Sequence, residues 1–395
     1  MSTQTLTFTQ EIQAPPTQVY RAFTNAAALQ EWFGDVVEAE PREGGRMYVW
    51  WNQGYFTAGQ FSHLEENHAL AFSWHGLGEP APTNVRILLT PHGDGTLITL
   101  HHEQVPADEV AGYNQNWPPS LENLKSVLET GIDKRLYDRP MLGFFIGGLV
   151  DENLKNRLGL PISTGMHVAG VIDGMGAQKS GLKGEDVIFS VDGVEITSFD
   201  SIRSILGNHK GGDVVEAVVY RGPEKVILSV ELSKRPIPAF PAPPADLARE
   251  GHAVYAEVLP KLNELLADVT EEEARHKASP GEWSIKEVLG HLLIGERWSQ
   301  FSWSLIQEGN KFPNFPGQPL VSALAETYTL PELLTELRQS AHVQMAQIAA
   351  LPESFVAQKG TYFLTANDFA QGVRNHFAQH TAQIQTALEA ARKTS

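Results

Sequence analysis

The spacing of apolar residues changes along the chain and divides it into three segments. Over residues 5–105, apolar and polar positions alternate, a period of two that is typical of half-buried β-strands. The alternating runs are LTFTQEI, RMYVWW, YFTAGQFSHL, ALAFSWH, NVRILLT and GTLITLHH. Helical spacing at PPTQVYRAFTN and PPSLENLKSVLETG flanks these runs. We therefore predict an α+β domain with a curved antiparallel sheet and a long final helix that ends at Gly131.

The second and third segments differ from each other in the same way. Residues 140–235 are mostly strand-like, with one short helix at FDSIRSILGNH. From residue 245 the apolar spacing becomes three to four, which predicts an all-α four-helix bundle. The predicted helices span 245–268, 284–308, 331–349 and 366–392. Pro260 should kink or interrupt the first, and Ser284 with Glu287 should form a capping box on the second.

Two stretches of distinctive composition separate the segments. GIDKRLYDRP follows the first helical ending, and SKRPIPAFPAPPADLARE is rich in proline and should be an extended spacer. We predict a multidomain chain with domains at 1–134, 135–238 and 245–395, the last preceded by a proline-rich linker at 239–244.

Composition narrows the classes of function. The chain contains no cysteine, which excludes disulfides, thiolate ligands and a cysteine nucleophile. Its net charge is −17, with 15 acidic and 5 basic residues in 1–130, so a nucleic acid is not an expected partner. No apolar run approaches the roughly 18 residues of a membrane span, and the polar N-terminus lacks the pattern of a signal peptide. We expect a cytoplasmic location.

Histidines provide the main candidate chemistry. His376 and His380 lie one turn apart beside the apolar stripe of the last helix, and His291 lies on the inward side of the second. Three imidazoles from two helices can form a facial triad that binds a metal ion and leaves open positions. The alternative is a set of core histidines that happen to share helix faces. By contrast, His101 and His102 are adjacent on a strand and should face opposite ways, which disfavours a shared ion.

Sequence motifs of several enzyme classes are missing. The sequence has no GxSxG or GNSGG, no HExxH and no GxxxxGK[ST]. These absences argue against a serine protease, a zincin and a P-loop NTPase.

The first segment resembles a known superfamily. IQAPPTQVYRAFTNAAALQEWFG, EGGRMYVWW, GQFSHLEENHALAFSW, GDGTLITLHHE and NWPPSLENLKSVLE are similar to the START-like (SRPBCC) superfamily, in the branch related to the activator of the heat-shock-protein ATPase. The resemblance implies a helix-grip fold with a hydrophobic cavity for a small apolar ligand. Aromatic candidates for the cavity wall are Trp32, Phe33, Trp50, Phe56 and Trp74, together with Trp51 and Phe72; plain core packing is the alternative.

The middle segment resembles a PDZ domain of the bacterial arrangement found beside trypsin-like heat-shock proteases. The similarity lies in RPMLGFFIGG, in the stretch from RLGLPISTG to VDGVEI, and in GGDVVEAVVYRG. It implies that Leu142, Gly143 and Phe144 form the carboxylate-binding loop for a protein C-terminal peptide, which adds as a strand to a sheet edge. The alternative is that LGF only starts a strand. Glu185 stands where the family often has glycine, which should alter that turn.

The last segment resembles the DinB/YfiT-like family. SPGEWSIKEVLGHLLIGE and, about 85 residues later, VRNHFAQHTAQI match its signature. The resemblance implies that His291, His376 and His380 bind a divalent metal, zinc or nickel first and iron or manganese next. It also implies a thiol-dependent transferase or related chemistry, since some members use the metal to lower the pKa of a thiol. The candidates for a general base are Glu282, Glu287, Glu296 and His342.

Two hypotheses therefore remain open from the sequence. The first is a metal-dependent transferase or hydrolase of DinB-like type, in which the other two domains bring substrate or partner. The second is a non-catalytic adaptor, co-chaperone-like, that binds protein C-termini and hydrophobic ligands while its bundle is structural.

Overall fold

A computed structural model describes residues 2–279, 281–310 and 317–394. Backbone contacts divide the chain into two compact units, one formed by 1–131 with 239–395 and the other by 132–238. The predicted class of each segment is confirmed: an α+β sheet, then a β-rich segment, then helices. In the described part of the chain, no helix is both long and apolar enough to cross a membrane.

The first segment is a curved sheet covered by helices. Its elements are β1 (Thr3–Ile12), α1 (Pro16–Thr24), α2 (Ala26–Trp32), β2 (Val36–Ala39), β3 (Arg46–Trp50), β4 (Phe56–Glu65), β5 (Ala69–Gly76), β6 (Thr83–His92), β7 (Gly95–Pro106) and α3 (Val110–Thr130). The strands form one antiparallel sheet in the order β1-β7-β6-β5-β4-β3-β2. Helix α3 packs on β1 and on the two short helices, and apolar side chains of the sheet and helices form one core.

The final helix of this segment begins earlier than its sequence suggests. Pro118 and Pro119 indicate a helix start, yet α3 begins two turns earlier at Val110 and continues through both prolines. Buried Tyr113 and Trp117 stabilise these first turns by packing on the sheet, so tertiary burial outweighs the local signal. The predicted end is confirmed, because Gly131 caps the helix at φ +80°.

The second unit is built from a five-strand path with one short strand added. Its elements are α4 (Lys134–Tyr137), β8 (Phe144–Leu149), α5 (Glu152–Leu158), β9 (Met166–Val171), α6 (Gly176–Lys179), β10 (Val187–Val191), β11 (Val194–Glu195), α7 (Phe199–Leu206), β12 (Val214–Arg221) and β13 (Glu224–Glu231). The order is β13-β12-β10-β9-β8, and β11 pairs with β10. Strand β8 therefore lies at an edge of this sheet.

The last segment contains four long helices and several short ones. Its elements are α8 (Pro244–Leu265), α9 (Glu271–Arg275), α10 (Ile285–Gln307), α11 (Gln318–Thr327), α12 (Leu330–Ala349), α13 (Glu353–Val356), α14 (Lys359–Ala366) and α15 (Phe369–Thr394). The long helices pack in a ring, α8 on α12, α12 on α10, α10 on α15 and α15 on α8. The capping box of Ser284 and Glu287 is confirmed, whereas α8 continues past Pro260 to Leu265 without the predicted interruption.

Short helix α14 joins the last segment to the first. It packs on α2 and α3, with Thr361 Oγ1 donating to the Glu31 carboxyl and Lys359 Nζ donating to the Glu129 carbonyl at 2.6 Å. Asn25 Nδ2 donates to the Gly309 carbonyl at 2.9 Å. The first and last segments thus share one compact unit although 107 residues separate them in the chain.

Candidate metal centre and ligand sites

The predicted histidines of the last segment lie together in the bundle. His291 is in the second turn of α10, whose start is fixed by the capping box at Ser284. His376 and His380 lie on α15 beside buried Phe377. One ring nitrogen from each imidazole lies within 4.8 Å of the others, and no further cluster of three or more His, Asp or Glu side chains with this geometry occurs among the described residues.

The distances within the triad fit a small divalent cation. His291 Nε2 and His376 Nε2 are 3.2 Å apart, and the ring centroids of His380 lie 4.7 Å from those of both other histidines. Two nitrogens bound to one tetrahedral zinc ion are about 3.3 Å apart, given bonds of about 2.0–2.1 Å. Two Nε2 atoms at this separation must either share a proton or face a common cation, because two lone pairs repel each other.

The protonation of His291 and His376 favours ligand chemistry. Burial, followed by the neighbouring charge of His380, lowers the pKa of His291. Burial, with smaller effects from His380 and His291, lowers the pKa of His376 to about 4. Both rings are therefore neutral near pH 7, the form that binds metals.

Three neighbours that sequence reasoning missed shape the site. Gln383 Oε1 lies 2.9 Å from His380 Nδ1, which directs the Nε2 lone pair of His380 inward. The Trp283 ring lies 5.0 Å from that of His291 and stacks on His380 at 6.4 Å. Gly295 lies beside the His376 ring, since a Cβ at this position would be 3.4 Å from His376 Cε1. Gln383 follows His380 by three residues, a spacing that could have identified it.

The four general-base candidates differ in their surroundings. Glu287 accepts from Lys277 Nζ at 2.7 Å and from the Ser284 backbone N–H, and although burial opposes ionisation, these partners lower its pKa. Glu296 is buried, and its Oε2 lies 2.5 Å from the Tyr255 hydroxyl oxygen. Glu282 is exposed on the loop before α10, and His342 is exposed on α12. Glu287 and Glu296 are therefore already engaged in hydrogen bonds within the bundle.

The three residues of the predicted carboxylate-binding loop differ in exposure. Leu142 is 2% exposed and belongs to the core of the second unit. Gly143 has φ +91°, a left-handed conformation that glycine adopts without strain. Phe144 opens β8 and is half-buried, while Phe145 and Ile146 on the same edge strand are 57% and 53% exposed.

Glu185 occupies the turn where the family often has glycine. Its φ is +69°, so this turn keeps the left-handed backbone that glycine favours. The Glu185 carboxylate accepts from Arg157 Nη1 at 2.5 Å and lies 3.5 Å from His167 Nε2. These contacts offset part of the backbone strain.

The first segment contains a cavity of about 350 Å³. Its wall residues are Phe33, Trp51, Gln53, Tyr55, Trp74, Tyr113, Asn116, Trp117, Pro119 and Ser120. Of the aromatic candidates, Phe33, Trp51 and Trp74 line it. Trp32 is instead core, and Phe72 is likewise buried. Trp50 and Phe56 stack on each other at 6.1 Å and are not among the wall residues, since Trp50 alternates with buried Val49 along β3.

The two adjacent histidines of the first segment face opposite ways, as predicted. His101 lies 3.0 Å from Thr7 Oγ1, while His102 is fully buried and lies 2.7 Å from Thr83 Oγ1. The Trp117 indole donates to His102 Nδ1 at 3.1 Å. Burial lowers the pKa of His102 to about 4, so this ring stays neutral behind the cavity.

Comparison with family models identifies three domain types in the predicted order. Residues 13–129 match the model described as activator of Hsp90 ATPase homolog 1-like protein, residues 142–232 match a PDZ domain, and residues 255–384 match the DinB superfamily. The resemblances inferred from the sequence motifs are thereby confirmed, and the chain combines these three domains.

Known proteins match parts of the chain. The serine protease Do-like HtrA of Bacillus subtilis is 26% identical over 149 residues, which cover 36% of this chain and 33% of the protease. A probable periplasmic serine endoprotease DegP-like of Marinomonas sp. is 34% identical over 98 residues, 25% of this chain and 21% of that protein. The chain thus spans a third or less of these two relatives.

Among solved structures, the Mesorhizobium loti protein MLL2253 is 23% identical, with a TM-score of 0.30 over 32% of this chain and 97% of its own. The Aha1 dimer from Colwellia psychrerythraea is 21% identical, with a TM-score of 0.30 over 32% of this chain and 96% of its own.

Proposed function

We propose that this is a divalent-metal protein in which His291, His376 and His380 of the DinB-like domain hold the ion. The observation that supports it is the convergence of three imidazole nitrogens within 4.8 Å on two packed helices. Imidazole nitrogens without any thiolate favour zinc or nickel, with iron or manganese next. A bound divalent ion with open positions would lower the pKa of a thiol or water ligand, which is the chemistry of a thiol-dependent transferase or a hydrolase.

The chain's own residues would prepare this site. Gln383 orients His380, burial keeps His291 and His376 neutral, and Trp283 covers one side of the imidazoles. We further propose the domain division 1–134, 135–238 and 245–395 with the linker at 239–244, and a cytoplasmic location.

Metal content tests the proposal directly. Untagged protein purified without chelator should contain about one divalent ion per chain by inductively coupled plasma mass spectrometry. The His376→Ala/His380→Ala variant should contain none. The matched control is His252→Ala/His342→Ala, an exposed histidine pair of the same bundle whose rings lie 6.0 Å apart and which should retain the ion. The proposal fails if the wild-type protein is purified without metal and binds neither zinc nor nickel after dialysis against these ions.

A second candidate function is an adaptor that binds protein C-termini through the PDZ domain. It is favoured by the edge position of β8 and by the exposed Phe145 and Ile146 on that strand. A peptide would add beside β8, with its carboxylate at the loop of Leu142, Gly143 and Phe144. The lack of GxSxG or GNSGG in the sequence continues to argue against a serine protease.

A library of peptides with free and amidated C-termini tests this second function. Binding of free C-termini that is lost on amidation and reduced by Ile146→Lys supports the adaptor. Equal binding of free and amidated peptides would show that this loop does not recognise the C-terminal carboxylate.

A further inference from the structure

The cavity of the first segment has an unusual wall, because six of its residues are aromatic. These are Phe33, Trp51, Tyr55, Trp74, Tyr113 and Trp117. Their rings contact one another with centroids between 5.2 and 6.4 Å apart, for example 5.2 Å for Phe33 with Trp51 and 6.4 Å for Trp74 with Tyr113. The volume of about 350 Å³ lies in the range of small-molecule sites.

The polar atoms of these rings are already used inside the protein. The indole N–H of Trp51 donates to the Phe33 carbonyl at 2.6 Å, and that of Trp117 donates to His102. The Trp74 indole and the hydroxyls of both tyrosines donate to the Glu79 carboxylate. A ligand in the cavity therefore meets ring faces and edges, while Gln53, Asn116 and Ser120 provide a polar rim.

The electrostatics of the cavity are negative. Glu79 Oε1 accepts from Tyr55 Oη at 2.9 Å and from Trp74 Nε1 at 3.3 Å, and Glu79 Oε2 accepts from the Gly76 N–H at 2.7 Å. The Glu79 carboxylate thus lies against the polar atoms of three of the wall rings, where charge-assisted hydrogen bonds hold it in place. Glu109 adds a second negative charge that acts on the same tyrosines.

Nothing in the described wall offsets these charges. The wall contains no lysine or arginine, and buried His102 behind it is neutral. Residues 1–130 hold 15 acids and 5 bases, so the wider surface also attracts cations. An anion would be repelled, and a neutral hydrocarbon would gain nothing from the carboxylates.

We propose that this cavity binds a monovalent organic cation of the quaternary-ammonium class, with the trimethylammonium group against the aromatic rings and Glu79 behind them. Aromatic faces attract such cations through their quadrupole, and a soft, weakly hydrated cation loses little on leaving water. The inference refines the small-ligand role of the START-like domain and is independent of the metal proposal.

Calorimetric titration of the full chain tests the charge preference without any mutation. Choline and tetramethylammonium are compared with 3,3-dimethylbutan-1-ol, the uncharged analogue of choline with the same shape. Choline should bind at least tenfold more tightly than the alcohol, and the difference should shrink at high salt. Equal or tighter binding of the alcohol would overturn the proposal and leave an apolar-ligand pocket; no binding of any of the three at millimolar concentration would overturn it as well.

Adjacent tryptophans provide a matched pair of variants. Trp51 lines the cavity, whereas Trp50 stacks on Phe56 outside it. Trp51→Leu should weaken choline binding at least tenfold, and Trp50→Leu should leave it unchanged. Glu79→Gln should reduce the preference for choline over the alcohol while binding of the alcohol persists.

Near-UV circular dichroism establishes that each variant is folded. Equal losses of choline binding in both tryptophan variants would count against the site. Metal content is measured on the same samples, so that a loss of choline binding can be distinguished from a loss of the metal ion.

Discussion

Glu296 should make the bundle less stable as pH rises from about 4.5 to about 7. The residue is 5% exposed, and burial raises the pKa of its carboxyl from 4.5 to about 7, although the hydrogen bond with Tyr255 acts in the opposite direction. The Tyr255 hydroxyl lies 2.5 Å from Glu296 Oε2 and 2.8 Å from Gln344 Oε1, while the Gln344 amide nitrogen donates to Ser299. One hydroxyl proton cannot serve both oxygens, so a protonated Glu296 that donates to Tyr255 completes the network.

The sign and size of the effect follow from the two pKa values. Below pH 4.5 the carboxyl is protonated in both the folded and the unfolded chain, and the stability is fully present. As pH rises from 4.5 to 7, the unfolded chain releases its proton while the folded chain keeps it, so the free energy of unfolding falls. Above pH 7 the loss is complete, and at 1.36 kcal/mol per pH unit it amounts to ~3 kcal/mol.

Glu296→Gln tests this directly, because the amide has the shape of the protonated acid and can donate to Tyr255. We expect the variant to be within about 1 kcal/mol of the wild type at pH 4.5 and more stable by ~2–3 kcal/mol at pH 8. Urea denaturation of metal-free protein, followed by hydrogen exchange in peptides from α8 and α10, measures the difference at both pH values.

The control for this experiment is Glu389→Gln, which neutralises an exposed glutamate on α15. Its effect should be under about 0.5 kcal/mol at either pH. If Glu296→Gln changes the stability equally at pH 4.5 and pH 8, or destabilises the bundle at pH 8, then burial of a neutral carboxyl is the wrong account.

Three further predictions concern both units of the chain. Arg221→Ala should destabilise the second unit by ~3 kcal/mol, because it leaves the fully buried Asp186 carboxylate without the guanidinium that now donates to both its oxygens at 2.8 Å. Gly143→Ala should cost ~2–4 kcal/mol, since a Cβ there would lie 2.4 Å from a methionine side chain at φ +91°. A hundredfold excess of zinc over its Kd should stabilise the bundle by ~2.7 kcal/mol, seen as a higher Tm, and should have no effect on His376→Ala/His380→Ala.

Controls for these two variants are available within the second unit. Arg203→Ala breaks only an exposed pair with Asp200 and should cost under about 0.5 kcal/mol. Gly174→Ala introduces a side chain at φ +77° where no atom lies within 4 Å, so it should show the backbone cost alone, ~1 kcal/mol. Hydrogen exchange of peptides from 132–238 reports on this unit in the full chain. Equal losses for both glycine variants would refute the steric part of the argument, and equal losses for both arginine variants would refute the role of burial.

Local chemistry in the sequence determined the class of each segment and many of its boundaries. A period of two or of three to four follows from the geometry of strands and helices, so it is visible without a structure. The capping box at Ser284, the helix end at Gly131 and the opposite directions of His101 and His102 also depend on neighbouring residues only. The position of His376 and His380 on one helix face likewise follows from their spacing of four residues.

Contacts between residues that are far apart in the sequence were decided by the tertiary structure alone. The distance from His291 to His376 results from how α10 and α15 pack, and the helical spacing fixes faces but not partners. Alternation along β3, continued one residue past its end, separates Trp50 from Trp51, yet only the tertiary structure shows that Trp51 lines the cavity. Glu79 meets Tyr55 and Tyr113, residues 24 and 34 positions away, only in the folded domain, where Tyr113 is carried by α3. Such contacts are set by burial summed over many residues, which no short stretch of sequence contains.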